Sequence, residues 1–141
     1  MRLDLGILSY GQPEKLTRAL TSVLRHSRCD LRIFLIDNPH PAEQRTRDVI
    51  ASAAADSRIV PVPLPENIGY AGGVNYLLEH AETPYVAYLD HDVEVQTPGW
   101  DERLIATMEQ HPEVGWMFPG AGHYGFQQNG YHECLWSAGF C

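Results

Sequence analysis

Short apolar runs alternate along the chain with segments whose apolar residues recur at the helical period. The apolar runs predict strands at residues 3–8, 31–36, 59–62, 85–89 and 114–118. The periodic segments predict one helix that opens at Pro13, a second that opens at Pro41, and two more at residues 70–81 and about 98–111. This alternation predicts an α/β fold with a mostly parallel sheet flanked by helices.

Prolines and aromatic residues add detail to this picture. Pro61 and Pro63 lack the N–H that a sheet ladder needs, so we expect the third strand near a sheet edge. The fourth strand has the apolar pattern of a buried strand, and we expect Trp100 and Trp116 in the core. Residues 120–132 are rich in Gly, His, Tyr, Gln and Asn, which predicts a loop that covers a site.

Length and composition are those of one globular domain, residues 1–141, with 44% hydrophobic and 20% charged residues. No apolar run approaches the roughly 18–20 residues that a transmembrane helix needs. Cys29, Cys134 and Cys141 are odd in number and lack C-x-x-C spacing, which predicts a reduced, cytoplasmic setting.

The net charge of −8 is unevenly distributed. Residues 1–60 hold nine Lys and Arg against seven acids, whereas residues 61–141 hold one Arg against eleven acids. An acidic half binds phosphate poorly without help, so a phosphorylated ligand there implies a divalent cation, and nucleic acid is an unlikely partner. Four arginines between residues 18 and 32 leave room for an acidic acceptor or an anionic membrane surface; they are Arg18, Arg25, Arg28 and Arg32.

Acidic residues follow the fourth predicted strand directly, in the triplet Asp90-His91-Asp92. Open α/β sheets bind ligands at the carboxyl ends of their strands. In an extended stretch Asp90, Asp92 and Glu94 would point to one side, and such a set of carboxylates suits Mg²⁺ or Mn²⁺. A solvated acidic turn is the alternative interpretation.

A second cluster, residues 66–75, places three glycines within five residues at a predicted helix start. Glycines such as Gly72 and Gly73 let the backbone approach a ligand closely, and free N–H groups at a helix start favour anions. Asn67 and Asn75 add side-chain hydrogen-bonding groups. The alternative is a loop whose glycines serve only the geometry of the turn.

Three further residues lie at the same predicted sheet edge. Ser9 and Tyr10 end the first strand, and Asp37 ends the second. An acid in the position of Asp37 can bind a ribose or the edge of a base. Asp-Asn-Pro is also a common turn sequence, so a structural role remains open.

In this order, the segments resemble the glycosyltransferases of family 2, which have the GT-A fold, and particularly their rhamnosyltransferase-like branch. The resemblance covers nearly the whole chain. The matching segments are residues 7–16, 35–38, 66–75, 89–92 and 136–139.

The resemblance implies a site for a nucleoside-diphosphate-sugar donor. The residues expected to contact the donor are Ser9, Tyr10, Asp37, Asn67, Gly72, Gly73, Asn75, Asp90 and His91. Asp90 would touch the ribose, a metal-bound water or the metal itself. Asp92 is the expected catalytic ligand of a Mn²⁺ or Mg²⁺ that bridges the diphosphate, in a DXD motif.

Members of the family usually continue past the last matching segment into an acceptor half that contains the general base, and we expect that half to be short or missing here. Glu133 is the candidate base. His123 and His132 are candidates for completing the metal shell or for acting as the base, with surface histidines as the alternative. Trp136 lies on the acceptor side in the resemblance.

These observations predict that the protein is a metal-dependent glycosyltransferase of hexosyltransferase type. It would transfer a sugar with inversion to an unknown hydroxyl of a glycan, a lipid or a small molecule. The alternative is a nucleotide-sugar-binding module, or a truncated paralogue without transferase activity of its own. A sugar-phosphate nucleotidyltransferase is disfavoured because the first loop has no basic residue before Lys15. The apolar C-terminal end makes a homo-oligomer a further candidate state.

Overall fold

The computed structural model describes residues 1–117, 126–128 and 131–133, with side chains up to residue 117. The chain forms two units, Met1–Glu102 and Arg103–Cys141. No helix within these described ranges is long and apolar enough to cross a bilayer.

A four-stranded parallel sheet is the centre of the first unit. Its strands are β1 (Arg2–Ser9), β2 (Asp30–Asp37), β3 (Ile59–Pro63) and β4 (Val86–Asp90). They lie side by side in the order β3-β2-β1-β4. The predicted α/β architecture with a parallel sheet is therefore confirmed, and β3, with its prolines, lies at one end of the sheet as expected.

The helices are α1 (Pro13–His26), α2 (Arg45–Ala53), α3 (Gly69–His80) and α4 (Trp100–Gln110), the last of which begins in the first unit and ends in the second. The second unit contains an antiparallel pair, β5 (Phe126–Gln128) and β6 (Tyr131–Glu133). This pair corrects the prediction of an uninterrupted loop at residues 120–132. The sequence between the strands is Asn129-Gly130, a dipeptide typical of two-residue hairpins, which the sequence analysis overlooked.

The second helix begins at Arg45, not at Pro41. His40 and Glu43 form a bridge around a turn at residues 41 and 42, and the Glu43 carboxylate accepts a hydrogen bond from the Arg45 N–H at 2.7 Å. Proline suits the first turn of a helix, but here it lies in the turn that precedes the helix.

The strand predicted at residues 114–118 is absent from its described part, residues 114–117. The Val114 N–H donates to the His111 carbonyl at 2.9 Å in a turn, and Trp116 is 75% exposed, so its expected place in the core is wrong. Trp100 is half-buried and donates its indole N–H to the Ser27 hydroxyl at 2.9 Å. An apolar run forms a strand only where a neighbouring strand accepts its ladder, and no such partner pairs with this run in the part described.

β4 also differs from the prediction of a buried strand, because its residues are exposed or half-buried. Among the named strands its hydrogen-bonded neighbour is β1 alone, which places it at the end of the sheet opposite β3. The apolar pattern predicted the strand correctly, but it did not predict that the strand lies at the end of the sheet.

The strand order creates a switch point beside β1. The chain proceeds outward from β1 to β2 and β3, and then returns across the sheet to add β4 on the other side of β1. In such sheets the crevice at the carboxyl ends of the two strands flanking the reversal is where ligands bind. The register pairs Leu8 with Asp90 and Ser9 with Asp37, so the strands end together and bring their terminal acids to this edge.

The core beneath this edge is a cluster of buried apolar residues from β1, β2, β3 and α3. Tyr76 and Tyr88 are partly buried and pack against it. The cluster consists of Leu8, Phe34, Ile36, Val62, Leu64 and Leu77. The edge that bears the acids therefore rests directly on the packed interior.

A buried carboxylate fixes the opposite end of the sheet. Asp4 has no exposed surface and accepts two hydrogen bonds from the Arg32 guanidinium, both 2.8 Å long. The backbone N–H groups of Glu82 and Thr83 donate to it at 2.7 and 3.1 Å. Burial alone raises the pKa of Asp4, but these donors outweigh it and the pKa lies below its usual value.

We expect Asp4→Asn to reduce the free energy of unfolding at pH 7 by about 3 kcal/mol, because the guanidinium loses its buried partner. The lowered pKa means that the Asp4 carboxylate stabilises the fold above pH ~4 and loses this effect as the pH falls through the folded-state pKa. Urea unfolding at pH 7 and at pH 3 measures both effects.

Asp56→Asn is the matched control. The pKa of Asp56 is likewise lowered, to about 2, by its hydrogen bonds with Arg58, but that ion pair is partly exposed. Its loss should be much smaller, since water screens exposed pairs. If both variants lose the same free energy of unfolding, burial does not make the Asp4 ion pair more stabilising than an exposed pair.

Candidate functional site

An aromatic pair lies at the carboxyl edge of the sheet, with Tyr10 in the loop after β1 and His40 in the loop after β2. The Tyr10 side chain is exposed, and its ring meets the His40 ring edge-on at a centroid distance of 4.7 Å. Gly11 and Gln12, which follow, both have left-handed backbone angles, with φ of 67° and 56°. Ser9, by contrast, is fully buried and donates its hydroxyl to the Ile36 carbonyl at 3.2 Å. The two loops thus leave Tyr10 and His40 accessible to a ligand, while the Ser9 hydroxyl is hydrogen-bonded within the sheet.

The end of β2 is a buried polar cluster. Asp37 is 3% exposed, and Arg47 of α2 donates its Nε–H to the carboxylate at 2.8 Å. Arg47 also donates to the Leu64 carbonyl at 3.3 Å. The neighbouring Asn38 is equally buried, and its side-chain oxygen accepts the Ile68 N–H at 2.9 Å. The residues around Asp37 therefore tie the loops after β2 and β3 together.

Two cavities open beside these residues. One has a volume of about 360 Å³ and is lined by Asp37, Arg47 and Asn67 among others. The other has a volume of about 470 Å³ and includes Tyr10. His40 lines both. Volumes of this size accommodate part of a nucleotide-sized ligand.

The Gly-rich segment begins α3 with a local turn. The side-chain oxygen of Asn67 accepts the Gly69 N–H at 2.8 Å, and Gly69 has a φ of +72° that favours glycine. Asn75 lies further along the helix and is exposed. The segment brings Asn67 to the first cavity, whereas the predicted donor contact of Asn75 stays a prediction.

Gly72 and Gly73 differ in what surrounds them. A Cβ on Gly73 would lie 2.5 Å from a methyl group of the buried Leu8 in β1. A Cβ on Gly72 would lie 2.9 Å from the Cβ of Ile68, the residue before the helix, which is 39% exposed. The glycine at position 73 is thus required for close packing of α3 on the sheet, which is the structural role that the sequence analysis left open.

The segment after β4 turns where the sequence analysis expected extended chain. The Val93 N–H donates to the Asp90 carbonyl at 3.1 Å, which closes a turn over His91 and Asp92. The extended chain predicted for residues 90–94 is therefore wrong, and with it the expected place of Glu94 beside Asp90 and Asp92. Glu94 instead accepts a hydrogen bond from Arg18 of α1 at 2.9 Å.

Asp90 and Asp92 have different neighbours within this turn. The Tyr88 hydroxyl donates to Asp90 Oδ1 at 2.9 Å. Burial and the Asp90 charge raise the pKa of Tyr88, so it remains a donor throughout the neutral range, and the same two causes raise the pKa of Tyr70. Lys15, in the first turn of α1, places its ammonium 3.9 Å from the exposed Asp92 carboxylate.

The His91 ring lies against the end of β1. Its Nδ1 is 3.1 Å from the Leu8 carbonyl, and that hydrogen bond ties the turn after β4 to the neighbouring strand. Its Nε2 is buried and has no hydrogen-bond partner in the part of the chain that the structure describes. The orientation supports a structural contribution of His91, and its predicted contact with the donor stays a prediction.

The pair Asp90 and Asp92 fits a hard divalent cation in part. No group of three His, Cys, Asp or Glu side chains that could hold a metal occurs among the described residues. Mg²⁺ characteristically retains waters and binds through one or two carboxylates together with substrate phosphates, a requirement that two acids satisfy. The predictions for His123, and for the side chains of His132 and Glu133, lie outside the described residues.

Several members of the site were missed by the sequence analysis. Arg47 and Lys15 reach the acids from the helices that follow β2 and β1, and Tyr88 reaches Asp90 from its own strand. Of these, only Tyr88 had a usable sequence signal, since residues two apart on a strand share a face.

Comparison with known proteins establishes the family. Residues 4–135 match Glycosyl transferase family 2, and the chain belongs to this family. It is 30% identical over 127 residues to the amylovoran biosynthesis glycosyltransferase AmsE of Erwinia amylovora, covering 89% of this chain and 46% of AmsE. It is 29% identical over 119 residues to an uncharacterised glycosyltransferase of a Nostoc species, covering 83% of this chain and 36% of that protein. The chain thus spans less than half the length of these curated relatives.

The fold is also found in a solved structure. The crystal structure of residues 1–349 of S. aureus TarS superposes with a TM-score of 0.67, covering 79% of this chain and 33% of that chain at 17% sequence identity. This similarity confirms the GT-A type of α/β fold. The match of residues 4–135 also confirms the predicted family, the glycosyltransferases of family 2.

The two glycines of α3 allow a direct test of packing at the site. We expect Gly73→Ala to destabilise the protein by about 1 kcal/mol, because crowding of Leu8 exceeds the helical advantage of alanine. Gly72→Ala should be destabilising by a smaller amount, since Ile68 lies before the helix, is partly exposed and can shift together with its backbone. Urea unfolding of both variants measures the difference, and equal stabilities would refute the close approach of α3 to β1.

Proposed function

We propose that the chain forms the donor side of a metal-dependent, inverting glycosyltransferase that uses a nucleoside-diphosphate-sugar. The observation that carries this proposal is the position of three acids at the carboxyl edge of the sheet: Asp37 ends β2, Asp90 ends β4 on the other side of β1, and Asp92 follows β4 in its turn. Family membership supports a sugar donor and an acceptor in general terms.

The nucleoside would occupy the cavities beside β1 and β2. Tyr10 and His40 offer ring surfaces against which a base can stack, and Asp37 offers carboxylate oxygens to N–H or O–H groups of the base or ribose. Arg47 orients this carboxylate through its hydrogen bond. Asn67 lies where it can add an amide contact from the Gly-rich segment.

Asp90 and Asp92 would hold the Mn²⁺ or Mg²⁺. When bound, the cation neutralises the charge that develops on the leaving diphosphate. Lys15 adds a positive charge beside Asp92, at the N-terminal end of α1 where the helix dipole also favours anions. An acidic site can thus bind a diphosphate because the cation supplies most of the positive charge, and Lys15 and the N-terminal end of α1 add to it.

In an inverting transfer, the acceptor oxygen bonds to the anomeric carbon as the bond to the diphosphate breaks, and a base takes the proton of the acceptor hydroxyl. Glu133 is the proposed base, and His123 and His132 are the further candidates for the base or for the metal shell. The same proposal includes three further points. The enzyme transfers a hexose, it belongs to the rhamnosyltransferase-like branch of the family, and it acts in the cytoplasm. The acceptor class, whether glycan, lipid or small molecule, stays open within it.

The test is thermal unfolding with UDP, GDP or dTDP, each with Mn²⁺ and with a chelator. A ligand at one hundred times its dissociation constant adds about 2.7 kcal/mol of stability, which raises the Tm by several degrees at this chain length. We expect one nucleotide to give this shift with Mn²⁺ only, and Asp92→Asn to abolish it. The control Asp30→Asn, an exposed acid at the opposite end of the sheet, should retain the full shift.

Two outcomes would redirect the proposal. An equal shift in chelator would contradict metal dependence. A full metal-dependent shift without any hydrolysis of the matching sugar nucleotide, measured by release of the nucleoside diphosphate, would instead identify the chain as a nucleotide-sugar-binding module.

A further inference from the structure

Two tyrosines connect the Gly-rich start of α3 with the acid at the end of β4. Tyr88 precedes Asp90 by two residues on β4, so both side chains lie on one face of the sheet. The Tyr88 hydroxyl donates to Asp90 Oδ1 at 2.9 Å. The edge of the Tyr70 ring meets the Tyr88 ring at a centroid distance of 5.2 Å and an angle of 78°.

The Tyr88 ring is itself held firmly. It packs against the buried cluster that contains Leu8, Ile36 and Leu77, and Tyr70 covers another part of it. Its hydroxyl therefore has a defined position from which to donate. Hydrogen bonds to a charged acceptor are stronger than those between neutral groups. The bond from the Tyr88 hydroxyl therefore restricts the rotation of the Asp90 carboxylate.

A carboxylate that binds a cation must first be held in one orientation. Asp90 is the last residue of its strand and is only half-buried, so little packing restrains its carboxylate. The Tyr88 hydroxyl occupies Oδ1 and leaves Oδ2 for other ligands. An acid fixed in this way loses less rotational freedom when a cation binds.

We propose that Tyr88 is a positioning residue for the divalent cation and orients Asp90 through its hydroxyl. The inference rests on the proposed function, since it requires Asp90 to take part in metal-dependent binding of the donor. Tyr88 itself touches neither the cation nor the sugar in this arrangement. Its contribution should therefore appear in the affinity for the metal and not in the affinity for the nucleotide alone.

The test compares Tyr88→Phe with Tyr76→Phe in the full chain. Both tyrosines pack against the same apolar cluster, but Tyr76 stacks on His80, away from Asp90, and so provides a matched loss of one hydroxyl. Binding of Mn²⁺ is followed by the loss of the free-ion signal in electron paramagnetic resonance, with the nucleoside diphosphate that gives the largest thermal shift. We expect the Mn²⁺ dissociation constant to rise about tenfold in Tyr88→Phe and less than about twofold in Tyr76→Phe. Nucleotide binding in chelator should be the same in both.

The outcomes separate the two proposals. If the wild type shows metal-dependent binding and Tyr88→Phe keeps the same Mn²⁺ affinity, the positioning role is overturned and the proposed function stands. If the wild type shows no metal-dependent binding, both are overturned. An equal loss in Tyr76→Phe would also overturn the inference, since it would indicate a general effect on packing.

A second measurement covers the case in which Tyr88→Phe does not fold. The wild-type chain is labelled with 3-fluorotyrosine, and the Tyr88 resonance is assigned by replacing the other tyrosines one at a time. Adding Mg²⁺ and the nucleoside diphosphate should shift the Tyr88 resonance but not that of Tyr76. An unmoved Tyr88 resonance, with binding verified calorimetrically, would overturn the inference.

Discussion

The pairing register of β1 with both of its neighbours is the constraint on which the rest of the structure depends. It sets Ser9 opposite Asp37 and Leu8 opposite Asp90, and so determines which acids share the ligand edge. The same register sets Asp4 directly opposite Arg32 at the other end of the strands. A shift of β2 by two residues would keep its apolar face inward but would break the buried ion pair and move Asp37 away from the switch point. The buried ion pair at one end of the sheet and the proposed donor site at the other therefore both depend on a single alignment.

Local pattern was sufficient to predict the four strands of the parallel sheet and the acids that end β2 and β4. The apolar runs of β1 to β4 and the helical periods of the four helices are properties of neighbouring residues, and proline placement put β3 at an edge. Residues 114–117 show where such reasoning fails, because the run Val-Gly-Trp-Met is apolar but turns at its start and leaves Trp116 exposed. Whether an apolar run becomes a strand depends on a partner strand, which no local window contains.

The site could be predicted only in outline for the same reason. The order of the predicted strands placed Asp37, Asp90 and Asp92 at one edge of the sheet. It did not predict which side chains contact these acids. Arg47 lies ten residues beyond Asp37 and meets it only because α2 folds back over β2. The Asp90–Asp92 turn likewise depends on a single backbone hydrogen bond, which an assumption of extended chain cannot reveal. Buried side-chain partners come from tertiary packing, and these decide how each acid is oriented.

The close contact of Gly73 with Leu8 has a consequence for how this site can change. Because α3 lies on β1 without space for a single methyl group, the Gly-rich segment and the end of β1 behave as one rigid wall of the site. In the proposed donor site, we therefore expect changes of specificity to come from side chains at and beside this wall, such as Tyr10, His40 and Asn67, and not from shifts of the wall itself. A library that seeks new donors should randomise those positions and leave the glycine unchanged.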